Sequence, residues 1–365
     1  MQIKRFFECL IPTTVCNLKC GYCYVIQRNC RNMKKANMKY SPEQIGKSLT
    51  KERLGGACFF SICGAGETLA QQEIIPVVKN LLNNGHYINI TTNGTLTSQI
   101  KKIEDFGEEN LKRLHFSFSF HYNELVKLNL LDVFFSNIQY VKKLGCSFIV
   151  QLNLCDEYLE HIEEIKNICI KNVGAMPQIA ATRKESKGVK KVELHTNLSI
   201  DEYTRIGKSF DSKLFNYTMK NFNVKRKEFC YAGERSGTLD LSTGILKKCY
   251  CAPGGQDIFA NPDKPIKFEA IGKNCPGVFC MNSSHFMSLG IIDNNDIDTY
   301  CTIRDRTEAG WFNDVMKEAL DGKLSETNKV YSIFKKNAVN IKERIKKIVY
   351  KMLRIVKKVL YHGKK

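Results

Sequence analysis

No run of about 18 or more apolar residues occurs in this chain, so nothing in it is expected to span a bilayer. The opening stretch MQIKRFFECLIPTTV lacks a long apolar segment ending in a small-residue cleavage site. It reads as a first strand, not a signal peptide, and implies a cytoplasmic protein. There is no internal repeat. Acidic residues are scarce: 37 Asp and Glu stand against 56 Lys and Arg, a formal charge of +19. Between Lys335 and Lys365 a single Glu faces twelve Lys or Arg, so more than half of the excess sits in the tail. That tail carries only two aromatics, Tyr350 and Tyr361, for stacking on bases. Nucleic acid is therefore an unfavoured partner for this basic segment.

Cysteine is plentiful, with sixteen in 365 residues. A reducing compartment disfavours a disulfide framework, and clustered thiols there more often bind metal. Cys146, Cys155 and Cys169 lie in apolar patterns and read as small buried hydrophobes. At 43% hydrophobic content the chain can bury a catalytic domain plus a smaller module.

Six short segments rich in β-branched and aromatic residues read as strands: Arg5–Val15, Ala57–Cys63, Tyr87–Thr92, Leu114–Phe120, Ser147–Leu154 and Met176–Ala181. Helical patterns lie between them, after Ser41-Pro42-Glu43 and over Leu69–Asn83, Ser98–Phe106, Glu124–Leu144 and Tyr158–Lys171. The alternation predicts an α/β fold with a parallel sheet and six βα units, an open or partial barrel that stops near Thr182. A Lys-rich loop, Arg183–Asn197, and a helix near Ser199–Phe210 lead onward. From Phe229 to about Cys301 Gly, Pro and Cys rise, which reads as a small module needing a staple for want of a core.

Cys16-x3-Cys20-x2-Cys23 follows the first strand. A structural zinc site wants four ligands, and Cys30 is the nearest further thiol. Three thiolates around a cubane leave one iron open for a substrate or cofactor. A zinc loop completed from afar is the alternative. With aromatic Tyr22 before its third Cys, the group resembles the cluster motif of the radical SAM superfamily, and the resemblance extends over most of the chain. It implies a [4Fe-4S] cluster, S-adenosylmethionine (SAM) chelated to the open iron, a partial (β/α)6 barrel over residues 1–198, and an electron donor such as flavodoxin or ferredoxin. Cys63-Gly64-Ala65-Gly66-Glu67 after the second strand resembles the family's Gly-rich motif for the methionine amino group, which implies roles for Gly64, Gly66 and Glu67. Asn93, in Thr91-Thr92-Asn93-Gly94, either faces the site or forms a turn. Alternation along the fourth strand sets His115, Ser117 and Ser119 on one face and three Phe on the other. In a barrel the Ser face lines the lumen, where Ser117 and Ser119 bind ribose or carboxylate. Gln151 and Asn153 alternate likewise, and Arg183 is either a carboxylate ligand or a loop cation.

Cys230-x13-Gly244-x4-Cys249 resembles the opening of the SPASM and twitch extensions of this superfamily, with Thr238–Leu241 and Ile245–Lys248 as a hairpin. That implies a twitch-like module over 229–310, after a linker at 199–228. It would carry one auxiliary [4Fe-4S] cluster on Cys230, Cys249, Cys275 and Cys280, with Cys251 a rival for one place. A zinc knot is the alternative. The run Pro265–Phe268, Ile271-Gly272-Lys273-Asn274-Cys275-Pro276 and Ser288-Leu289-Gly290 resembles twitch-bearing proteins of surface-polysaccharide loci, which points to a small-molecule or lipid-linked glycan substrate. Within 311–365, Ile341, Ile345, Ile348, Val349, Met352, Ile355, Val356 and Val359 share one helical face opposite Lys346, Lys347, Lys351, Arg354, Lys357 and Lys358. This is a basic amphipathic helix suited to an anionic membrane surface, or one docked on the protein's own core. Two other readings remain: a peptide-modifying maturase, for which no docking domain precedes Cys16, and a non-catalytic iron–sulfur electron carrier, which has no need of a cofactor pocket.

Overall fold

The computed structural model describes residues 2–185, 192–275, 277, 279–280, 283–292 and 298–362. Six strands, β1 (Arg5–Ile11), β2 (Cys58–Gly64), β3 (Tyr87–Thr92), β4 (Leu114–Ser119), β5 (Ser147–Leu154) and β6 (Gln178–Ala181), pair in sequence order and all in parallel. Helices fill the crossovers, the arrangement a βα repeat favours. Strand interiors bury Phe6, Phe7, Phe59, Phe60, Phe116 and Phe118 completely. Each such side chain contributes about 1.5–3 kcal/mol of hydrophobic burial.

Helix starts follow local chemistry. Ser41 caps Pro42–Ser48 by accepting from Gln44 N at 3.3 Å, with Pro at the first position. The single helix expected over Glu124–Leu144 is two, Tyr122–Lys127 and Leu131–Lys143. Between them Asn129 takes a left-handed conformation (φ 54°), which Asn tolerates better than most residues.

Beyond β6 a two-stranded ribbon, β7 (Arg183–Lys184) with β8 (Glu193–Leu194), leads to two helices, Ile200–Lys208 and Lys213–Asn221. The second of these packs on β6, and the sequence pattern gave no sign of it. The expected hairpin is present as β9 (Ser236–Asp240) and β10 (Ile245–Lys247), joined by β11 (Gln256–Asp257). It does not stand apart: β9 pairs in parallel with β1, Phe6 opposite Ser236 and Leu10 opposite Asp240. One nine-stranded sheet results, in the order β11-β10-β9-β1-β2-β3-β4-β5-β6. The Cys-rich segment thus borrows the barrel's core through β1.

The chain then returns beneath the sheet. Phe148 N donates to Trp311 O at 2.9 Å, Trp311 Nε1 donates to Val173 O at 2.9 Å, and Asn313 Nδ2 reaches Gly145 O at 2.8 Å. A long helix, Ile333–His362, ends the described chain. No helix of the described residues is long and apolar enough to cross a membrane.

Candidate functional site

The carboxyl ends of β2 to β6 open on one cavity of about 470 Å³, where parallel α/β sheets commonly place ligands. Cys16, Cys20 and Cys23 line it, as do Gly64, Gly66, Glu67, Asn93, Ser119, Gln151, Asn153 and Arg183. Cys30 stays outside, exposed, its thiol turned to Arg28 O.

The ladder between the first two strands continues past β1 through the loop. Ala65 N donates to Ile11 O, Gly66 N to Thr13 O and Glu67 N to Val15 O, at 2.9, 2.6 and 2.7 Å. The sequence reading of a strand reaching Val15 reflects this continuation. The turn and the thiol loop lie backbone to backbone, and a Cβ on Gly66 would stand 2.4 Å from Val15 O. That is why glycine is needed here. Gly66→Ala is therefore expected to displace the loop. Iron bound at the first site should fall well below wild type while secondary structure by circular dichroism is retained.

The loop has further anchors. Lys19 N donates to Glu124 Oε2 at 2.6 Å, Asn93 Nδ2 to Asn17 Oδ1 at 2.8 Å, and Arg31 Nη2 to Cys16 O at 2.8 Å. Tyr22 Oη shares hydrogen bonds with His121 Nδ1 at 2.6 Å and Tyr158 Oη at 3.0 Å. Burial lowers His121 to about 4, so its ring is neutral at neutral pH. Neither His121 nor Glu124 carried a sequence signal, because each meets the loop from about a hundred residues away.

Burial first, then the proximity of Cys16 and Cys23, pushes the Cys20 thiol up to about 12. Cys16 is raised chiefly by burial, and Glu67 and Cys23 add to it. Crowded thiols of this kind deprotonate when a metal centre supplies positive charge. Among the described residues no trio of His, Cys, Asp or Glu is gathered closely enough to clasp one lone ion. The three thiols are instead distributed along a cavity wall, and three soft donors on an open pocket fit a cluster with a vacant corner.

Glu67 is buried, and its carboxylate accepts from Thr92 Oγ1 (2.6 Å), Asn93 N (2.7 Å) and Leu69 N (3.0 Å). Burial raises its pKa against those three bonds. Its side chain braces the end of β3. Asn93 does both things weighed for it, since Oδ1 accepts from Thr95 N in a turn and its side chain lines the cavity.

Along β4 only Ser119 reaches the cavity. Ser117 does not line it, for its hydroxyl donates to Asn89 Oδ1 at 2.9 Å, so the expected ligand role of Ser117 is corrected to a strand-to-strand tie. His115 lies deeper still, its ring centroid 4.6 Å from that of Phe312 and both nitrogens buried without partners. Alternation sets the face, and depth along the strand decides which residues meet the pocket.

The far wall comes from the Cys-rich segment and from elements the sequence reading had not assigned: Phe222, Phe279, Cys280, His285 and Arg304. Cys230 is raised by burial first and then by Cys280, Cys249 and Cys275, which places four thiols in one neighbourhood. Cys249 is pushed up to about 11 by burial, with Cys251 and Cys275 adding to the rise. Cys251 belongs to the same group: a Cβ on Gly277 would lie 3.2 Å from its sulfur and 3.5 Å from that of Cys275. None of the sixteen cysteines forms a disulfide.

Residues 10–169 match the family model of the Radical SAM superfamily. No curated protein matches the chain. Among solved structures, a histidine-tagged form of anSMEcpe with bound AdoMet is similar at 16% identity and a TM-score of 0.50, over 92% of this chain and 98% of that one. SuiB of Streptococcus suis bound to S-adenosylmethionine is similar at 18% identity and TM-score 0.49, over 72% of this chain and 66% of its own. This chain thus spans just under two thirds of SuiB. BtrN in complex with AdoMet and 2-DOIA is similar at 12% identity and TM-score 0.38, over 82% of this chain and 97% of that one. Residues 10–169 are thus similar to radical SAM domains, and the chain is an enzyme whose cofactors are a [4Fe-4S] cluster and SAM.

Proposed function

We propose that this chain holds a [4Fe-4S] cluster on Cys16, Cys20 and Cys23, binds SAM in the adjoining cavity, and takes a hydrogen atom from a substrate seated there. One observation carries the reading: a single cavity joins the three thiols, the Gly64–Glu67 turn and the ends of β3 to β6. When bound, cluster and SAM together supply a 5′-deoxyadenosyl radical. The chain's own residues position and enclose. Gly64 and Gly66 let a ligand approach the backbone, and Asn93, Ser119, Gln151 and Asn153 offer neutral hydrogen-bonding groups along the wall. Arg31, also on the wall, keeps a buried Nε without a partner, which suits an anionic group such as the SAM carboxylate. His121 stays neutral and fixes Tyr22 beside Cys23.

The second thiol group supports a twitch-like auxiliary [4Fe-4S] cluster on Cys230, Cys249, Cys275 and Cys280, with Cys251 close enough to replace one of them. Cys280 also lines the main cavity, so that cluster would border the substrate space and suit an electron relay from a flavodoxin or ferredoxin. Anaerobically reconstituted protein should carry about eight irons on this reading. Zinc in place of iron at the second group would overturn the auxiliary cluster and leave the first site untouched.

For the substrate, the reading is a lipid-linked glycan met at an anionic membrane surface. The tail helix supports it with an outward apolar stripe: Phe334, Ile341, Ile345, Ile348 and Met352 are 88, 63, 56, 48 and 58% exposed. Its opposite face is clasped to the protein through Asn340, Glu343 and Lys346. Incubation with deuterated candidates and mass spectrometry of 5′-deoxyadenosine tests the assignment. Deuterium from a lipid-linked sugar supports it, and deuterium from a peptide would establish a peptide-modifying maturase instead.

A further inference from the structure

A second cavity, of about 320 Å³, lies between the β10 hairpin and the tail helix, away from the strand-end site. Five lysines line it: Lys247, Lys248 and Lys267 on the hairpin side, Lys346 and Lys347 on the helix. The carboxylates on its wall are Glu269 and Glu343. Two lysines are spent on them. Lys248 Nζ lies 2.9 Å from Glu343 and 3.7 Å from Glu269, and Lys346 Nζ lies 3.1 Å from Glu269 and 2.9 Å from Glu343. Lys342 adds a third cation on Glu269.

Lys247, Lys267 and Lys347 remain, exposed and with no carboxylate partner among the described residues. Three uncompensated cations around one small space repel each other, and a multivalent anion between them removes that repulsion. The wall also holds Ser236, 1% exposed, whose hydroxyl has no partner. A buried polar group left unsatisfied is uncommon and suits a ligand contact. Gly254 and Gly255 leave one side of the cleft without side chains, open to a bulky anion.

From this geometry we propose that the cleft binds a diphosphate group, either free or as part of an esterified ligand. Lysines act as point-charge phosphate donors, three cations match the charge of a diphosphate, and the tail helix forms one jaw. The inference is independent of the radical chemistry, since the cleft holds no residue assigned to SAM.

The test uses full-length, cluster-loaded protein and inorganic pyrophosphate, followed by calorimetry at low salt. Saturable one-to-one binding is expected. The Lys267→Glu/Lys347→Glu variant, altered on both jaws at exposed positions, should bind at least tenfold more weakly with iron content unchanged. Lys101→Glu/Lys102→Glu, exposed and remote, controls for net charge. Phosphatidylcholine vesicles with and without a long-chain prenyl diphosphate form the second arm. Binding of pyrophosphate without binding to the diphosphate-bearing vesicles places the ligand among soluble diphosphates. Binding to the diphosphate-bearing vesicles, lost in Lys267→Glu/Lys347→Glu but kept in Lys101→Glu/Lys102→Glu, makes it a lipid-borne diphosphate. If neither probe separates Lys267→Glu/Lys347→Glu from Lys101→Glu/Lys102→Glu, the cleft is no phosphate site and the proposal fails. Substrate-free SAM cleavage, measured on the same samples, reports on the radical reading separately.

Discussion

Replacing Cys16, Cys20 and Cys23 together by Ala should remove about four of about eight irons and reduce SAM cleavage to background. The loss follows from the ligand count. On the proposed site three thiolates would be the whole protein contribution to a cluster with one vacant corner, and Cys30 lies outside the cavity. The fold should survive, since the loop stays anchored through Glu124, Asn93 and the Gly66–Thr13 backbone bond. On the proposed auxiliary site the remaining irons would sit on Cys230, Cys249, Cys275 and Cys280, or with Cys251 in place of one of them, and their spectrum should be unchanged. Iron analysis with circular dichroism on the same preparation checks both halves. Retention of all the iron would show that these thiols hold no cluster.

The second large effect concerns the tail. Ile345, Ile348 and Met352 stand on the outward stripe and touch no part of the clasp, so a triple Ser variant should fold and keep its iron. Each aliphatic side chain buried in a bilayer interface contributes about 1.5–3 kcal/mol, so binding to anionic vesicles should fall on the order of a thousandfold. Raising salt should weaken the wild type as well, because each basic residue near such a surface adds about 1 kcal/mol that salt screens. Wild-type binding that is weak on anionic vesicles, or unchanged in the variant, sinks the membrane reading. Deleting the whole tail would be a poorer test. Lys273 N donates to Asn340 Oδ1 and Asn274 Nδ2 to Asn340 O, so the start of the helix also steadies the chain just before Cys275.

What the sequence disclosed and what it hid divide along physical lines. The six parallel strands were legible because each is a short β-branched or aromatic run closed by a turn, a signal contained within about ten residues. The first thiol trio was legible for the same reason, since its three cysteines lie within eight residues, and the structure sets all three on one cavity wall. Contacts between distant parts of the chain were not. Nothing local marks β9 as a partner of β1, and without that pairing the Cys-rich segment reads as a module in need of its own core. His121 and Arg304 reach the cavity from separate elements, and no spacing rule connects them to it. Ser117 was misplaced because periodicity resolves faces and not depth; Asn89 on the neighbouring strand takes its hydroxyl. The amphipathic tail was visible as a pattern. That its polar face would be clasped by Glu269, leaving the apolar face to the outside, is a tertiary fact.

Residues at the strand ends are proposed to assemble a site that cleaves SAM reductively. Its most direct test is the yield of 5′-deoxyadenosine and methionine from anaerobically reconstituted protein given SAM and a strong reductant, without substrate. Slow formation of both, in equal amounts, is expected from the wild type and none from Cys20→Ala. A fully loaded wild-type protein that forms neither product under any reductant would contradict it, and the chain would then be an electron carrier.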